Sequence, residues 1–260
     1  MNSVPCPVCG NQIYFLIEKK DRFNERYDYV VCKNCRFLFE KDLAQNPAHL
    51  AQKVSAVYQK DYFESTDAGW KMRGDGAVKV INAFLKLYAL LTLKKSITVL
   101  DYGGGNGYVT SKINSRFKVF YYDKYEQPTY LSGYEVLPAP KPADVVYAVE
   151  LVEHITNMSE WDFLNQLRPD IFMFTTCLSD GIHGKELLDW DYLDPDAGHT
   201  ALYSFRSLHL LAKKYGFVYF FFPNRSFHIF WRNALLSKIN FVAAEYFFYR
   251  LLKKLIKPRP

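Results

Sequence analysis

The sequence predicts an α/β fold in which a mostly parallel sheet is closed by an antiparallel hairpin and preceded by a small cysteine-rich module. Short β-rich runs such as SITVL, KVFYY, DVVYAV and IFMFTT alternate with loops and helical stretches between residues 96 and 176. This alternation is typical of a parallel sheet with crossover connections. The runs FVYFFFP and SFHIFWR, separated by Asn224 and Arg225, predict the closing hairpin.

The composition is that of an ordinary globular protein with one local excess of charge. Of the 260 residues, 49% are hydrophobic and 23% are charged, and the formal net charge is +6. From Arg225 onward, eight basic residues stand against Glu245 alone, so the rest of the chain is nearly neutral. This distribution argues against a broad nucleic-acid-binding face. No apolar window is long enough for a transmembrane helix and MNSVPCPVCG does not resemble a signal peptide, so we expect a cytoplasmic protein.

Two C-x-x-C pairs near the N-terminus predict a structural metal site. Cys6 and Cys9 are separated by 22 residues from Cys32 and Cys35. Each pair can hold one side of a tetrahedral ion, thiolates suit Zn²⁺, and four cysteines leave no open position for catalysis. The alternative, a redox pair, needs a single C-x-x-C beside a βαβ unit. Because the segment between the pairs alternates like a hairpin with a charged turn, the module resembles a zinc ribbon.

A glycine-rich loop follows the first predicted strand of the sheet. LDYGGGNGYVT places four glycines in five positions, where either the backbone conformation or a ligand must exclude side chains. The dinucleotide fingerprint G-x-G-x-x-G would need glycine at Tyr108, which counts against NAD. We expect the loop at the carboxyl edge of the sheet, with a helix that starts near Tyr108.

Several stretches resemble Rossmann-like class I S-adenosylmethionine-dependent methyltransferases. The first motif of that family is similar to D-x-G-x-G-x-G from Asp101 to Gly107. KVFYYD, which ends in Asp123, PADVVYAVELVEHI and GHTALYSFRSLHLLAKKYGF are similar to later motifs, and VYQKDYFES resembles the segment that covers the cofactor. The resemblance implies a Rossmann-like, mostly parallel seven-stranded sheet with a closing antiparallel hairpin. A four-cysteine module in front of such a domain is typical of members that modify sugars.

The motifs, the cysteine pairs and the basic tail together predict four segments of the chain. We predict a zinc ribbon at 1–42, a helical linker with the cofactor-covering segment at 43–95, the Rossmann-like methyltransferase domain at 96–232 and a basic amphipathic helix at 233–260. Between Asp123 and the next β-rich run there is only KYEQPTYLSG, which is too short for a usual crossover helix.

The resemblance also implies which residues hold S-adenosylmethionine. The glycine backbone is expected to contact the methionine portion, and Asp123 is expected to accept hydrogen bonds from the ribose hydroxyls. Glu150 is expected to position the cofactor's amino group or the substrate, and Arg73 either pairs with the methionine carboxylate or is a solvated helix charge. The expected cofactor-binding residues are Asp101, Gly103, Gly105, Gly107, Asp123, Glu150, Tyr62 and Arg73.

Two histidines are candidates for the base that removes a proton from an acceptor hydroxyl, since histidine changes its charge near neutral pH. His199 lies in WDYLDPDAGHTALY, whose acids and aromatic rings suit a sugar, and we expect it to be the base. His154 follows the fourth parallel strand and is expected to position the substrate. Each also has a structural alternative, a helix-start cap for His154 and a turn for His199. Glu153 either positions the substrate or serves only a helix N-terminus.

These features predict O-methylation of a sugar hydroxyl in surface-polysaccharide or glycan biosynthesis, with a nucleotide-linked or lipid-linked sugar as substrate. N- or C-methylation of another small molecule remains open, as does a non-catalytic zinc-ribbon module with a vestigial Rossmann domain. No nucleic-acid partner is expected. The basic tail suits either an anionic membrane, which would place the enzyme at its inner face, or docking on its own domain or a dimer mate. The oligomeric state stays open.

Overall fold

The computed structural model describes residues 4–57, 68–221 and 226–232, and the chain divides into two compact units. The first unit comprises Met1–Ser65, Glu150–Phe163 and Thr176–Tyr219. The second unit comprises Thr66–Val149, Leu164–Thr175 and Phe220–Pro260. The predicted division of the chain into four segments stays a prediction.

Three of the predictions concern residues outside the described ranges. These are Tyr62 in the cofactor-covering segment, the turn at Asn224 and Arg225, and the basic helix at 233–260. The predicted contact with a membrane rests on the last of these segments and stays a prediction. No helix in the described ranges has the length and apolar character needed to cross a bilayer.

A seven-stranded sheet carries the methyltransferase-like motifs. Its strands are β4 (Thr98–Tyr102), β5 (Lys118–Tyr122), β6 (Glu135–Val136), β7 (Val145–Ala148), β8 (Ile171–Thr175), β10 (Val218–Phe221) and β11 (Phe227–Trp231). The strand order is β10-β11-β8-β7-β4-β5-β6. The pairs from β8 to β6 are parallel, whereas β11 runs antiparallel to β8. This arrangement confirms the predicted fold class.

The central strands form this sheet because they are continuous apolar runs. Every residue of β7 and β8 is buried, as expected for parallel strands covered on both faces. A cluster of charged side chains holds the starts of β4, β7 and β8 together. Lys94 Nζ lies 2.6 Å from Asp144 Oδ1 and 3.0 Å from Asp170 Oδ2. Asp144 Oδ2 also accepts a hydrogen bond from the Thr98 N–H over 2.8 Å. The opposite, carboxyl edge of the sheet carries the glycine loop.

The first unit contains a second, four-stranded sheet. Its strands are β1 (Ile13–Lys20), β2 (Arg26–Cys32), β3 (Leu38–Glu40) and β9 (Ala201–Leu202), in that order. β1 and β2 form the predicted hairpin between the cysteine pairs. β9 is the unexpected member, because Phe39 pairs with Ala201 and Leu38 with Leu202 across a long stretch of sequence. The N-terminal module therefore shares a sheet with the residues that follow His199.

Seven helices and two 3-10 turns connect the strands in the described ranges. The helices are α1 (Asp42–Gln45), α2 (Pro47–Val57), α3 (Ala68–Thr92), α4 (Tyr108–Ser111), α5 (Phe163–Leu167), α6 (Lys185–Leu188) and α7 (Phe205–Lys214). The 3-10 turns are Val152–His154 and Met158–Asp162. α7 begins with a capping box, in which the Ser204 side chain accepts a hydrogen bond from the Ser207 N–H.

Candidate functional site

The glycine loop lies at the carboxyl end of β4, as predicted. Gly103, Gly105 and Gly107 have φ angles of 75°, 56° and 80°, in the left-handed region that side chains disfavour. α4 begins directly after the loop at Tyr108 and is a single turn. The backbone conformation alone therefore requires glycine at three positions of this loop.

Gly104 is required by lack of space. A Cβ atom at this position would lie 2.6 Å from Cε2 of Tyr121 and 2.7 Å from Oδ2 of Asp101. The Tyr121 hydroxyl also donates a hydrogen bond to the Gly105 carbonyl. The loop backbone is therefore packed directly against the side chains at the ends of β4 and β5.

Asp101 is a buried carboxyl group at the centre of this edge. Its Oδ2 accepts a hydrogen bond from the Thr110 hydroxyl, which in turn lies 2.8 Å from the Tyr147 hydroxyl. Burial, with a smaller contribution from the Asp123 carboxylate, raises the pKa of Asp101 to about 7. A positive charge bound beside such a group favours its ionised form.

Asp123 directly follows β5, and backbone N–H groups hold its carboxylate. Oδ2 accepts a hydrogen bond from the Gly105 N–H over 2.9 Å. Oδ1 accepts hydrogen bonds from the N–H groups of Tyr125 and Glu126 over 2.8 and 2.9 Å. The structure thus brings Asp101, Asp123 and the glycine loop together at one edge of the sheet.

The connection between β5 and β6 contains no helix in the described structure, as its short Pro- and Gly-interrupted sequence predicted. It lies over the glycine loop, since a Cβ atom on Gly107 would approach Cγ of Leu131 to 2.6 Å. The rings of Tyr130 and Tyr108 meet edge to face with centroids 5.4 Å apart. The connection between β5 and β6 therefore forms one wall of the space beside the glycine loop.

The N-terminal part of α3 contacts the start of α4. A Cβ atom on Gly74 would lie 3.2 Å from Cδ1 of Tyr108, and the Tyr108 hydroxyl donates a hydrogen bond to Asp75 Oδ1 over 2.9 Å. Arg73 is exposed on the same stretch of helix. Its assignment to the methionine carboxylate stays a prediction, as does that of Tyr62.

The predicted catalytic residues lie together within the first unit. An imidazole nitrogen of His154, one of His199 and a carboxylate oxygen of Glu153 all lie within 4.8 Å of one another. The ring centroids of the two histidines are 4.9 Å apart. Glu153 and His154 belong to the 3-10 turn after β7, whereas His199 lies in the loop before β9. We call these three side chains the Glu-His-His cluster.

Glu153 is fully buried, and only one of its oxygens has a hydrogen-bond partner among the described residues. Oε1 accepts a hydrogen bond from the Tyr192 hydroxyl over 2.6 Å, whereas Oε2 has none. Burial raises the pKa of Glu153 well above its usual range, and the nearby Glu150 carboxylate raises it too. The sequence did not predict the contact with Tyr192, because nothing in the residue pattern links these positions.

Backbone carbonyls orient both histidines of the cluster. Nδ1 of His154 lies 3.2 Å from the Gly198 carbonyl, and Nδ1 of His199 lies 2.7 Å from the Tyr192 carbonyl. A carbonyl only accepts hydrogen bonds, so Nδ1 carries the proton and Nε2 the lone pair in each neutral ring. Surrounding protein, together with His199, lowers the pKa of His154 to about 3, so this ring is neutral at pH 7.

Glu150 has an unusual backbone conformation just after β7. Its φ angle is 52°, in the left-handed region that non-glycine residues rarely adopt. Strained backbone of this kind is concentrated at functional sites, which supports a role for Glu150. Its expected contact with the cofactor's amino group or with the substrate stays a prediction.

The four-stranded sheet and its neighbours hold the Glu-His-His cluster in place. The Tyr29 hydroxyl on β2 donates a hydrogen bond to the His199 carbonyl over 2.7 Å. The next residue, Thr200, donates its N–H to the Glu153 carbonyl over 2.8 Å. The Ser204 hydroxyl donates to the carbonyl of Cys35 in the cysteine module. The sequence did not single out Tyr29 or Thr200.

The four predicted metal ligands also come together. Sγ of Cys6 lies 3.6 Å from Sγ of Cys35, and Sγ of Cys9 lies 3.4 Å from Sγ of Cys32. All four sulfur atoms lie within 4.8 Å of one another, and none is in a disulfide. Four thiolates around a zinc ion at about 2.3 Å would be separated by about 3.8 Å, so the group fits a tetrahedral ion.

Comparison with known proteins places the chain in a family. A sequence profile described as "Methyltransferase domain" matches residues 77–220, which is more than half of the chain. A search of the curated proteins finds no match. Among solved structures, the fold is similar to 1,6-didemethyltoxoflavin-N1-methyltransferase of Burkholderia thailandensis with bound S-adenosylhomocysteine. The identity is 15%, the TM-score is 0.51, and the match covers 83% of this chain and 97% of that one.

Two other solved structures are similar at lower scores. An O-methyltransferase family protein from Burkholderia thailandensis is 13% identical with a TM-score of 0.48, covering 74% of this chain and 70% of that one. Magnesium protoporphyrin IX methyltransferase from Synechocystis PCC 6803 is 12% identical with a TM-score of 0.43, covering 71% and 94%. The profile match, together with the observed sheet, identifies the activity: the chain belongs to the methyltransferase-domain family and is a class I S-adenosylmethionine-dependent methyltransferase.

Proposed function

We propose that this methyltransferase transfers a methyl group to a sugar hydroxyl. S-Adenosylmethionine supplies an electrophilic methyl group on a positively charged sulfur. The carboxyl edge of the seven-stranded sheet fits this cofactor, because Asp101 and Asp123 lie beside a loop whose backbone excludes side chains. Asp123, oriented by its three backbone hydrogen bonds, would accept the ribose hydroxyls, and the glycine loop would contact the methionine portion.

The observation that supports a sugar acceptor is the surroundings of His199. The ring of Tyr192 lies 4.3 Å from that of His199, and the ring of Trp190 lies 5.4 Å from that of Tyr192. Both aromatic side chains are half-buried and lie among exposed acids such as Asp191. Aromatic rings can cover the apolar face of a sugar while carboxylates bind its hydroxyls.

The Glu-His-His cluster supplies the group that removes the acceptor proton. His199 takes the proton from the acceptor hydroxyl at Nε2, because Nδ1 carries the proton that faces the Tyr192 carbonyl. His154 and the Oε2 atom of Glu153 orient the hydroxyl. The proton leaves the acceptor as its oxygen forms the new bond to carbon.

Calorimetric titration with S-adenosylhomocysteine tests the cofactor site. We expect the wild-type protein to bind it and Asp123→Ala to bind it about 10- to 100-fold more weakly, because hydrogen bonds to a charged group are lost. Glu135→Ala is the matched control, since Glu135 lies exposed on β6 and pairs with Lys141 over 2.7 Å. NAD should give no heat of binding.

The acceptor is then identified by incubating the protein with S-adenosylmethionine and nucleotide-linked or lipid-linked sugars. A methyl ether on a sugar oxygen is the expected product. Methylation of a nitrogen or carbon acceptor would disprove the hydroxyl assignment but leave the cofactor site intact. Equal affinity of Asp123→Ala and the wild type for S-adenosylhomocysteine would disprove the role of Asp123.

We also propose that the four-cysteine site holds a structural zinc ion. Cys6→Ser is expected to lose the zinc and to unfold at lower denaturant concentration, because binding energy at such a site is folding energy. Cys177→Ser is the matched control, since Cys177 lies outside the four-cysteine group. Zinc per chain, measured by elemental analysis, should fall only in the first variant. Unchanged zinc in Cys6→Ser would show that the ribbon assignment is wrong.

A further inference from the structure

We propose that Glu153, His154 and His199 bind a divalent first-row transition-metal ion at a site separate from the four cysteines. The three ligand atoms lie within 4.8 Å of one another and come from two imidazoles and one carboxylate. This donor set binds zinc or iron(II) in sites that keep positions open for a substrate. The four-cysteine group, in contrast, offers a closed set of thiolates.

The unpartnered oxygen of Glu153 is the second, independent observation. Oε2 is buried without a hydrogen-bond partner among the described residues. A buried carboxylate is costly unless a cation or hydrogen-bond donors compensate its charge. Tyr192 satisfies only Oε1, over 2.6 Å. An ion bound by Oε2 and the two histidines would satisfy the remaining oxygen.

The orientation of the two histidines matches that of metal ligands. A ligating histidine usually donates its other N–H to a carbonyl or carboxylate, which fixes the ring and its tautomer. Nδ1 of His154 and Nδ1 of His199 contact the carbonyls of Gly198 and Tyr192. With Nδ1 facing a carbonyl, Nε2 is the nitrogen that would bind the ion in both rings. Tyr192 supports two ligands at once, through its hydroxyl to Glu153 and its carbonyl to His199.

The role of the ion rests on the proposed function. An acceptor hydroxyl bound to the ion at an open position has a lowered pKa, so its O–H bond breaks and the proton passes to water. The oxygen lone pair then forms the bond to the methyl carbon as the sulfur–carbon bond breaks and the thioether leaves. In this state His199 is a ligand, and water replaces it as the proton acceptor.

Titration with Co²⁺ of protein that carries one zinc ion per chain, the amount that fills the four-cysteine site, tests the second site without relying on activity. The wild type is expected to take up one more metal ion per chain than the four-cysteine site accounts for, with visible absorption typical of nitrogen and oxygen ligands. Glu153→Gln and His154→Ala should bind this additional Co²⁺ on the order of 100-fold more weakly. The matched controls are Glu186→Gln and His183→Ala, two exposed residues of the same unit. Circular dichroism establishes that each variant is folded.

Equal Co²⁺ uptake by Glu153→Gln and the wild type, or no uptake beyond the four-cysteine site, would overturn the proposal. Methyl transfer to a sugar with equal rates in chelator and in added Co²⁺ would overturn the catalytic role of the ion but not the proposed function. Conversely, intact Co²⁺ binding in a protein that methylates no sugar would leave the metal site standing and refute the acceptor assignment.

Discussion

Replacement of His199 by alanine is expected to lower the rate of methyl transfer by about a hundredfold to ten-thousandfold, the range found when a positioned acid or base is removed. The affinity for S-adenosylhomocysteine should not change, because the proposed cofactor residues Asp101 and Asp123 belong to the other compact unit. In the ion-free cluster the variant lacks the group that takes the proton. In the ion-bound cluster it lacks a ligand, so the rate falls on either route.

Single-turnover measurements give the rate of methyl transfer, and calorimetry on the same samples gives the affinity for S-adenosylhomocysteine. His183→Ala is the matched control, since His183 is exposed in the same unit and outside the cluster. A normal rate in His199→Ala would refute its assignment. A loss of S-adenosylhomocysteine binding in this variant would instead indicate that the substitution damages the protein as a whole.

The expected loss is large because the structure fixes His199 from several sides. The Tyr29 hydroxyl holds its carbonyl, and the Tyr192 carbonyl holds its Nδ1. β9, which starts two residues later, pairs with β3 of the cysteine module. A positioned base is effective only when its geometry is maintained within a fraction of an ångström. The cysteine module therefore has a structural connection to the Glu-His-His cluster through the sheet that it shares with β9.

The parts of the fold that local patterns encode could be predicted from the sequence. The short apolar run DVVYAV, rich in β-branched residues and bounded by loops, predicted a buried parallel strand, and all four residues of β7 are buried. Glycine at 103, 105 and 107 signalled a backbone that side chains disfavour, and the positive φ angles supply the reason. Two C-x-x-C pairs predicted a cluster because each pair can hold one side of a tetrahedral ion, and the four sulfur atoms do converge.

The contacts that could not be predicted join residues far apart in the sequence. The pairing of β3 with β9 involves a strand of two residues, which has no periodicity to detect. The hydrogen bonds from Tyr192 to Glu153 and from Tyr29 to His199 depend on how loops converge. Secondary-structure propensity and residue spacing carry no information on such long-range contacts. The sequence therefore indicated both histidines as candidates but not that they form one cluster with Glu153.

Asp101→Asn is expected to abolish a pH dependence of stability that the wild-type protein shows. The folded-state pKa of Asp101 is about 7, whereas an unfolded aspartate titrates at about 3.9. Between these values the folded protein retains a proton that the unfolded chain has lost. Stability therefore falls as the pH rises through this window, by on the order of 3 to 4 kcal/mol in total. The asparagine side chain can still accept the hydrogen bond from Thr110 but has no proton to lose.

Urea denaturation at pH 5 and pH 8 measures this effect. The wild type should lose more stability than Asp101→Asn between the two values, and Asp191→Asn, an exposed control, should behave like the wild type. Parallel pH profiles of wild type and Asp101→Asn would show that Asp101 titrates normally. Saturation with S-adenosylhomocysteine should then reduce the wild-type loss of stability at pH 8. The α-ammonium group of the ligand, bound beside Asp101, would favour the ionised form of this carboxyl group. The same loss of stability with and without ligand would show that Asp101 does not contact the cofactor and contributes only to the stability of the fold.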